Sequence, residues 1–549
     1  MTIAQPAAVI ILAAGEGTRM KSAVPKVLHT LAGRSMLGHA ISAAHGLDPQ
    51  RIAVVVRHRR DLVAEHAQTI DPSILIVDQD DVPGTGRAVQ CAVSVLDATV
   101  HAAEAAAGVA EGHEGRGLSE GLTGPVVVIA GDVPMLDAET LTELLDAHTT
   151  DGNAVTVLTT ELDDATGYGR ILRESDGSVA GIVEHKDATA QQREIREINS
   201  SIYVFDASVL RRALGEVTTD NAQGEVYLTD VLALARHEGG AVRAVRTDDP
   251  WLVEGANDRA QFAVLRAEFN RRIVDAWMRE GVTIVDPSTT WIDVQVELTS
   301  DVTLLPNTQL HGDTVVSTGA TIGPDTTLES VRVGEGATVI RTHGSQSDIG
   351  AGATVGPFAY LRPGTTLGER GKIGTFVETK NATIGDGSKI PHLSYAGDVT
   401  IGEETNIGAG SIFVNYDGVK KHHSTVGSHA RTGANSLFVA PVHLGDGVYT
   451  AAGTVVRRNV PSGSLAVSAA SQRNIDGWVE RRRTGTAAAQ AAAAHREDVS
   501  PTSPTLGAQA RAELAQAGTV SDHPVPSAAE ATDSGRAVPH ASAPDEGTK

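Results

Sequence analysis

Apolar and polar positions follow one another along this chain in three textures. Up to about Arg246, short apolar runs rich in β-branched residues (Ala8–Leu12, Ile52–Val56, Ile74–Val77, Val126–Ala130 and Ala154–Thr159) are bounded by Gly, Pro or Asp and predict buried strands. Between several of them, segments such as Ala88–Asp97 and Ala138–His148 carry apolar residues at helical spacing. This alternation predicts βαβ units around a mostly parallel sheet, an α/β domain of Rossmann-like type. Residues 101–124 break the rhythm with Ala, Gly and Glu and read as a surface insertion, a candidate for disorder. From Asn257 to Glu280 a longer helical period sets in. Phe262, Leu265, Phe269, Ile273 and Trp277 recur three or four residues apart, and Gly281 supplies a stop. The helix reads equally as a rigid connector or as the last helix packed on the first domain.

The third texture is a repeat. Ile349, Val355, Leu361, Leu367 and Ile373 stand six residues apart, most followed by Gly. Ile384 and Ile390 resume the spacing in a new register, then Ile401, Ile407 and Phe413, then Phe438 and Leu444. A six-residue period predicts a parallel β-helix, each hexapeptide forming one face of a triangular coil with its apolar residue inward. Such a coil buries its interior only against stacked neighbours. Val414–Thr425 interrupts the period and predicts a loop projecting from the coil. Beyond about Arg483, Ala, Ser, Thr, Pro and Gly predict a disordered tail. The expected organisation is a first domain over 1–256, a helix over 257–281, a β-helix domain over 282–482 and a tail over 483–549.

Composition narrows the chemistry. The chain has 549 residues, enough for two or three domains, and only 3% aromatics, so its cores rest on Val, Ile, Leu and Ala. A formal charge of −23 argues against nucleic-acid binding, yet leaves room for a local Lys/Arg pocket that takes a small phosphorylated substrate. One cysteine, Cys91, allows neither an internal disulfide nor a cysteine-held metal. The apolar run Ala7–Ala14 lacks a basic flank and no run approaches ~20 apolar residues, so a cytoplasmic protein without a membrane partner is expected.

Leu12-Ala13-Ala14-Gly15-Glu16-Gly17-Thr18-Arg19-Met20 follows the first strand directly. Amides at such a turn can cradle phosphate. Met20 takes the place of the third glycine of a dinucleotide fingerprint, and no Gly-Lys-Ser/Thr marks a Walker loop. Arg19, with Lys26 in Pro25-Lys26, brings two cations to the turn. Asp132, in Gly131-Asp132-Val133-Pro134, closes the strand Val126–Ala130 at a carboxyl end, where open α/β sheets bind ligands. The plain alternative for Asp132 is a turn-forming side chain before Pro134.

Leu-x-x-Gly-x-Gly-Thr-Arg-Met with Pro-Lys resembles the sugar-nucleotidyltransferase family. So do the ordered motifs Gln79 with Gly84-Thr85-Gly86, Tyr168-Gly169-Arg170, Glu184-His185-Lys186, Glu197-Ile198-Asn199 and Val253-Glu254-Gly255-Ala256-Asn257. With the repeat included, the chain to about Trp478 is similar to the family's bifunctional branch, which makes UDP-N-acetylglucosamine for peptidoglycan. The resemblance implies that Leu12, Ala13, Ala14, Gly15, Arg19, Lys26, Gln79, Gly84, Thr85 and Asn257 bind UTP, and that Gly169, Glu184 and Asn199 hold the N-acetylglucosamine moiety. Asp132 and Asn257 would ligate Mg²⁺. It further implies a left-handed β-helix that acetylates glucosamine 1-phosphate, with His392 as catalytic base, Arg362 and Lys380 on the sugar phosphate, and Tyr395 and Asn406 on sugar hydroxyls. Asn415 and Tyr416 would border the amine and acetyl group, while acetyl-CoA would lie along Ala409, Ala434 and Ala452. Other members carry serine at position 434, and some carry arginine where Ala469 stands and tyrosine where Ala130 stands; Arg457, Arg458 and Arg473 are candidate replacements for the missing coenzyme charge. A homotrimer with acetyltransferase sites between subunits is implied.

Two other readings stay open: a β-helix that serves only as a trimerisation or regulatory scaffold, and a nucleotidyltransferase for another base or sugar. His422-His423 beside Lys420-Lys421 suggests a metal pair, but a solvated charged loop is the expected reading.

Overall fold

A computed structural model describes residues 5–106, 121–468 and 472–494. The N-terminal sheet is built on β1 (Ala8–Leu12), β2 (Ile52–Val56), β3 (Leu75–Asp78), β4 (Pro125–Ala130), β5 (Val155–Glu161), β6 (Glu197–Asp206) and β7 (Val242–Arg246), in the order β7-β5-β6-β4-β1-β2-β3. Neighbours run parallel except around β6, which is antiparallel to both β4 and β5. The strand sequences are continuously apolar because both faces are covered. Val9, Ile11, Val54, Val127 and Ile129 face a layer that includes Leu37, Ile41, Leu141 and Leu144. Ala8, Ile10, Val55, Val126 and Val128 face Val89, Leu96, Leu210 and Val231. The expected helix Ala88–Asp97 is part of a longer one, Thr85–Ala106, so the first residues of the expected insertion are helical. Residues 107–120 of that insertion lie outside the described residues.

The single long helix is Arg259–Arg279, its start capped by Asp258, whose carboxylate accepts from the amides of Ala260 and Gln261. It serves both neighbours. Phe262 and Leu265 pack with Met20, Leu31 and Met36 of the first domain, while Val274 joins the core of the repeat domain. Between these contacts the buried Asn270 donates to the Thr290 carbonyl at 2.7 Å and accepts from the Ile292 amide at 3.1 Å. A second tie is the hairpin Thr30–Leu31/Arg34–Ser35. At its tip the Ala32 carbonyl accepts from the Val294 amide at 3.0 Å, and Gly33 (φ +82°) leaves no room for a Cβ against Asp293 and Gln295.

The repeat domain is a left-handed parallel β-helix. Successive coils stack Ile322, Val339, Val355, Ile373 and Ile390 along one inner face, and Val333, Ile349, Leu367, Ile384 and Ile401 along another, all buried. Each six-residue step therefore moves one face around the coil. The change of register after Ile373 has a structural cause: Leu367 pairs with Ile384, seventeen residues on, where three full hexapeptides would need eighteen. Asn415–His423 projects between strands Ile412–Val414 and Ser424–Val426, as expected. Two short helices, Trp478–Arg482 and Ala487–Ala494, belong to a separate small unit. The second departs from the expectation of a structureless tail, because an alanine run has the highest helix propensity of any sequence. Residues 495–549 lie outside the described residues.

Candidate active sites

The carboxyl ends of β1, β2 and β4 open on a cleft of about 850 Å³, lined by the loop Leu12–Arg19 together with Lys26, Gln79, Gly84, Thr85, Asp132 and Asn257. The sequence places these groups apart, and the parallel register brings them together. The Leu12 carbonyl accepts from the Gly131 amide, the residue before Asp132, at 2.9 Å. Gly17 adopts φ +64°, and a Cβ there would lie 2.6 Å from Lys26 Cβ, so this glycine lets the lysine stem close over the loop. Lys26 Nζ stands 2.5 Å from Asp132 Oδ2 and donates to Asn257 Oδ1 at 2.9 Å. Arg19 Nη2 donates to the same Asn257 oxygen at 2.9 Å. A carboxylate oxygen and an amide oxygen thus converge on a single cation. Such hard oxygen donors suit a divalent metal ion, which takes its remaining ligands from phosphate and water. No group of three or more His, Cys, Asp or Glu among the described residues could hold a metal by itself.

At the edge of the cleft, Gln79 Nε2 donates to the carbonyls of Val82 (3.0 Å) and Gly84 (3.1 Å). Gly84 has φ +119° and lies against the Val226 backbone, and the Thr85 hydroxyl accepts from the Leu228 amide at 3.3 Å. Gly169, Glu184 and Asn199 form a cluster of their own. A Cβ on Gly169 would stand 3.5 Å from Asn199 Cβ and 3.6 Å from Glu184 Oε1. Asn199 is buried and accepts from the amide of Ser201, a residue of the cleft wall. Burial pushes the Glu184 carboxyl above its ordinary value, against the opposing effect of the Thr229 hydroxyl that donates to it at 3.3 Å. Arg57, His58, Arg59 and Glu225 also line the cleft and were not singled out from the sequence. The rule that selected Asp132, position at the carboxyl end of a strand, applies equally to Arg57–Arg59 after β2.

A second cluster lies on the β-helix, where the coil register pairs Glu378 with Tyr395 and Lys380 with Gly397. Arg362 Nη1 donates to Glu378 Oε1 at 2.9 Å. Asn415 Nδ2 donates to the Tyr395 hydroxyl (3.3 Å) and to Asp398 Oδ2 (2.5 Å), and Lys380 Nζ is 4.0 Å from Asp398 Oδ1. Lys421 lies exposed in the projecting loop, as expected, and stands beside Lys380, whose ammonium group lowers its pKa. His392 ends the strand Lys389–His392 on an exposed edge. Its carbonyl accepts from the Gly410 amide, that of Ala409 from Asn435, and that of Ala434 from Gly453. His392, Ala409, Ala434 and Ala452 therefore follow one edge through successive coils. Asn406 lies on another ladder, between Lys389 and Arg431. The Tyr416 hydroxyl donates to the Gly418 carbonyl within its own loop. His422 and His423 meet different partners, Asp417 and Thr400, and form no metal pair. Ala469 lies outside the described residues.

A doubly wound sheet with a cation-rich loop after its first strand, followed by a hexapeptide β-helix, defines a nucleotidyltransferase joined to an acyltransferase. Residues 9–175 match the MobA-like NTP transferase domain family. The chain is 62% identical over 498 residues to the bifunctional protein GlmU of Paenarthrobacter aurescens, covering 91% of this chain and 96% of that protein. It is 63% identical over 489 residues to GlmU of Pseudarthrobacter chlorophenolicus (89% and 95% covered), and 55% identical over 491 residues to GlmU of Corynebacterium glutamicum (89% and 96% covered). The chain belongs to the GlmU family. It is a bifunctional enzyme of UDP-N-acetylglucosamine synthesis for the cell wall, both a glucosamine-1-phosphate N-acetyltransferase and a UDP-N-acetylglucosamine diphosphorylase. It works on small molecules, with a nucleotide sugar and a divalent metal ion among them. No helix among the described residues is long and apolar enough to cross a membrane.

Proposed function

We propose that the cleft at the end of β1 binds UTP and N-acetylglucosamine 1-phosphate, and that the edge through His392 binds acetyl-CoA and glucosamine 1-phosphate. The convergence of Lys26 and Arg19 on Asp132 and Asn257 carries the first assignment. An oxygen of the sugar phosphate attacks the α-phosphorus of UTP, the bond to the β-phosphate breaks, and pyrophosphate leaves. Positioning and charge neutralisation dominate such a transfer. Arg19 and Lys26 neutralise the outer phosphates, and the amides of Leu12–Gly15 hold them in place. Gln79, Gly84 and Thr85 face the base, and Gly169, Glu184 and Asn199 the acetylated sugar. Mg²⁺, held by Asp132 and Asn257, would supply the counter-charge for the leaving pyrophosphate.

On the β-helix, His392 removes a proton from the amine of glucosamine 1-phosphate, whose nitrogen attacks the thioester carbonyl, and the C–S bond breaks to release coenzyme A. Arg362 and Lys380 bind the sugar phosphate, with Lys421 as a third cation. Tyr395 and Asn406 meet hydroxyls, Asn415 and Tyr416 border the amine, and the coenzyme runs past Ala409, Ala434 and Ala452, where the missing side chains leave a smooth wall. The boundaries 1–256, 257–281 and 282–482 separate the two activities. Phe358, Phe376 and Leu393, exposed by 54–63% along one corner, support a homotrimer whose second copy covers this ridge; the likeness to GlmU enzymes supports a cytoplasmic location.

The test incubates the protein with glucosamine 1-phosphate, acetyl-CoA, UTP and Mg²⁺, leaving out one component at a time. His392→Ala is expected to abolish acetyl transfer and spare uridylyl transfer, and Asp132→Ala to do the reverse. Loss of both activities from either variant would sink the assignment.

A further inference from the structure

Asp398 is a buried acid that the reaction as described does not use. It lies in the strand Tyr395–Ile401 with φ +50°, a left-handed conformation that strains a residue with a Cβ, and it is 7% exposed. One carboxylate oxygen accepts from Asn381 Nδ2 at 2.9 Å and the other from Asn415 Nδ2 at 2.5 Å. The cations of Lys380 and Lys421 face it from the neighbouring strand and from the projecting loop.

A carboxamide can present either its donor or its acceptor end, and an ionised carboxylate accepts only. Facing Asp398, Asn415 must turn its NH₂ inward. Both amide protons are then taken, one by Asp398 and one by the Tyr395 hydroxyl. The Asn415 side-chain oxygen, Oδ1, has no hydrogen-bond donor among the described residues, while its backbone carbonyl accepts from the His422 amide at 2.7 Å. Gly397 makes this arrangement possible, because a Cβ there would overlap the Tyr395 hydroxyl and Asn415 Nδ2. Burial pushes the Asp398 carboxyl up, but the two asparagine hydrogen bonds and the nearby lysines outweigh that effect and hold it below the usual carboxylate range. It is therefore an ionised acceptor at neutral pH.

We infer that Asp398 is a positioning residue of the acetyltransferase site, which locks Asn415 so that its amide oxygen receives an N–H of the substrate amine while His392 takes the other proton. This rests on the assignment of the acetyl-transfer site proposed above.

The experiment compares Asp398→Asn, Asn415→Ala and the double variant in the full-length protein. An asparagine at 398 keeps the volume but lets the facing amide turn over. The expected result is a loss of about 10²-fold in kcat for acetylation, with KM for glucosamine 1-phosphate changed less than about threefold and uridylyl transfer unchanged. The double variant should lose no more than Asn415→Ala alone, since both act through one group. If Asp398→Asn does not fold, the exchanged pair Asp398→Asn with Asn415→Asp restores the hydrogen bond and still offers an oxygen to the amine; acetylation within about tenfold of wild type supports the role. Unchanged kcat in Asp398→Asn, additive losses in the double variant, or an exchanged pair as inactive as Asn415→Ala overturns it. His392→Ala, run alongside, separates the two ideas. If it retains acetylation, the site assignment fails; if only Asp398→Asn retains it, the positioning role alone fails.

Discussion

Lys26 illustrates how one residue organises the cleft at the end of β1. Its ammonium bridges Asp132 and Asn257, groups more than a hundred residues apart in the chain, so its removal leaves the Asp132 carboxylate without its counter-charge and Asn257 with Arg19 alone. Lys26→Ala is expected to cut uridylyl transfer by about 10²–10³-fold and leave acetylation intact, the size seen when one preorganised charge-stabilising group is lost; equal rates for mutant and wild type would refute the role. Gly169→Ala is a finer probe. Its methyl would press on Ile182 Cγ2 at 3.1 Å and fill the space between Asn199 and Glu184 at van der Waals distance. The expected effect is a roughly tenfold higher KM for N-acetylglucosamine 1-phosphate with KM for UTP unmoved, the size of a change of one carbon in a fitted pocket. At this scale local motifs are readable and convergence is not. Arg19, Lys26 and Asp132 declare themselves by position after strands, whereas nothing local links Gly169 to Glu184 and Asn199, and only the resemblance joined them. Lys421 lies in the expected exposed loop, but its approach to Lys380 is not legible in the sequence because the two residues stand on different coils.

At the scale of elements, the strands and the six-residue period were legible because each reports burial directly: an inward position repels polar residues wherever it recurs. The coil corners were not. Phe358, Phe376 and Leu393 adopt φ of +60°, +56° and +51°, a conformation costly for side chains of this size, and they are solvent-exposed. The rings of Phe358 and Phe376 stack at 5.4 Å, and the Arg341 guanidinium lies 5.9 Å above Phe358. A contiguous exposed apolar ridge of this kind marks a candidate association surface. On the homotrimer proposed above, Phe376→Asp is expected to shift the mass in light scattering from three copies toward one and to weaken acetylation far more than uridylyl transfer. An unaltered mass would exclude this ridge from the trimer contact.

At the scale of the whole molecule, stability should depend on pH through two buried imidazoles of the first domain. Burial lowers His39 and His148 to about 4, well under the 6.5 of an exposed histidine. The unfolded chain therefore takes up these protons before the folded one does. Stability is complete above about pH 6.5 and declines as pH falls toward 4, by up to roughly 2.7 kcal/mol per pH unit while both groups differ. Urea unfolding at pH 7.5 and pH 5 checks this, and coincident midpoints would contradict it. The other property of the whole is how its halves are tied. The hairpin that begins four residues after Lys26 ends against the first coil at Val294, and Asn270 pins the long helix to the same coil. The cleft at the end of β1 is thus bolted to the β-helix, with no swinging arm between them among the described residues. On the assignments proposed above, newly acetylated sugar phosphate is expected to pass between two fixed stations, and dilution of its label by externally supplied N-acetylglucosamine 1-phosphate in the coupled reaction measures how much of it does so through solvent.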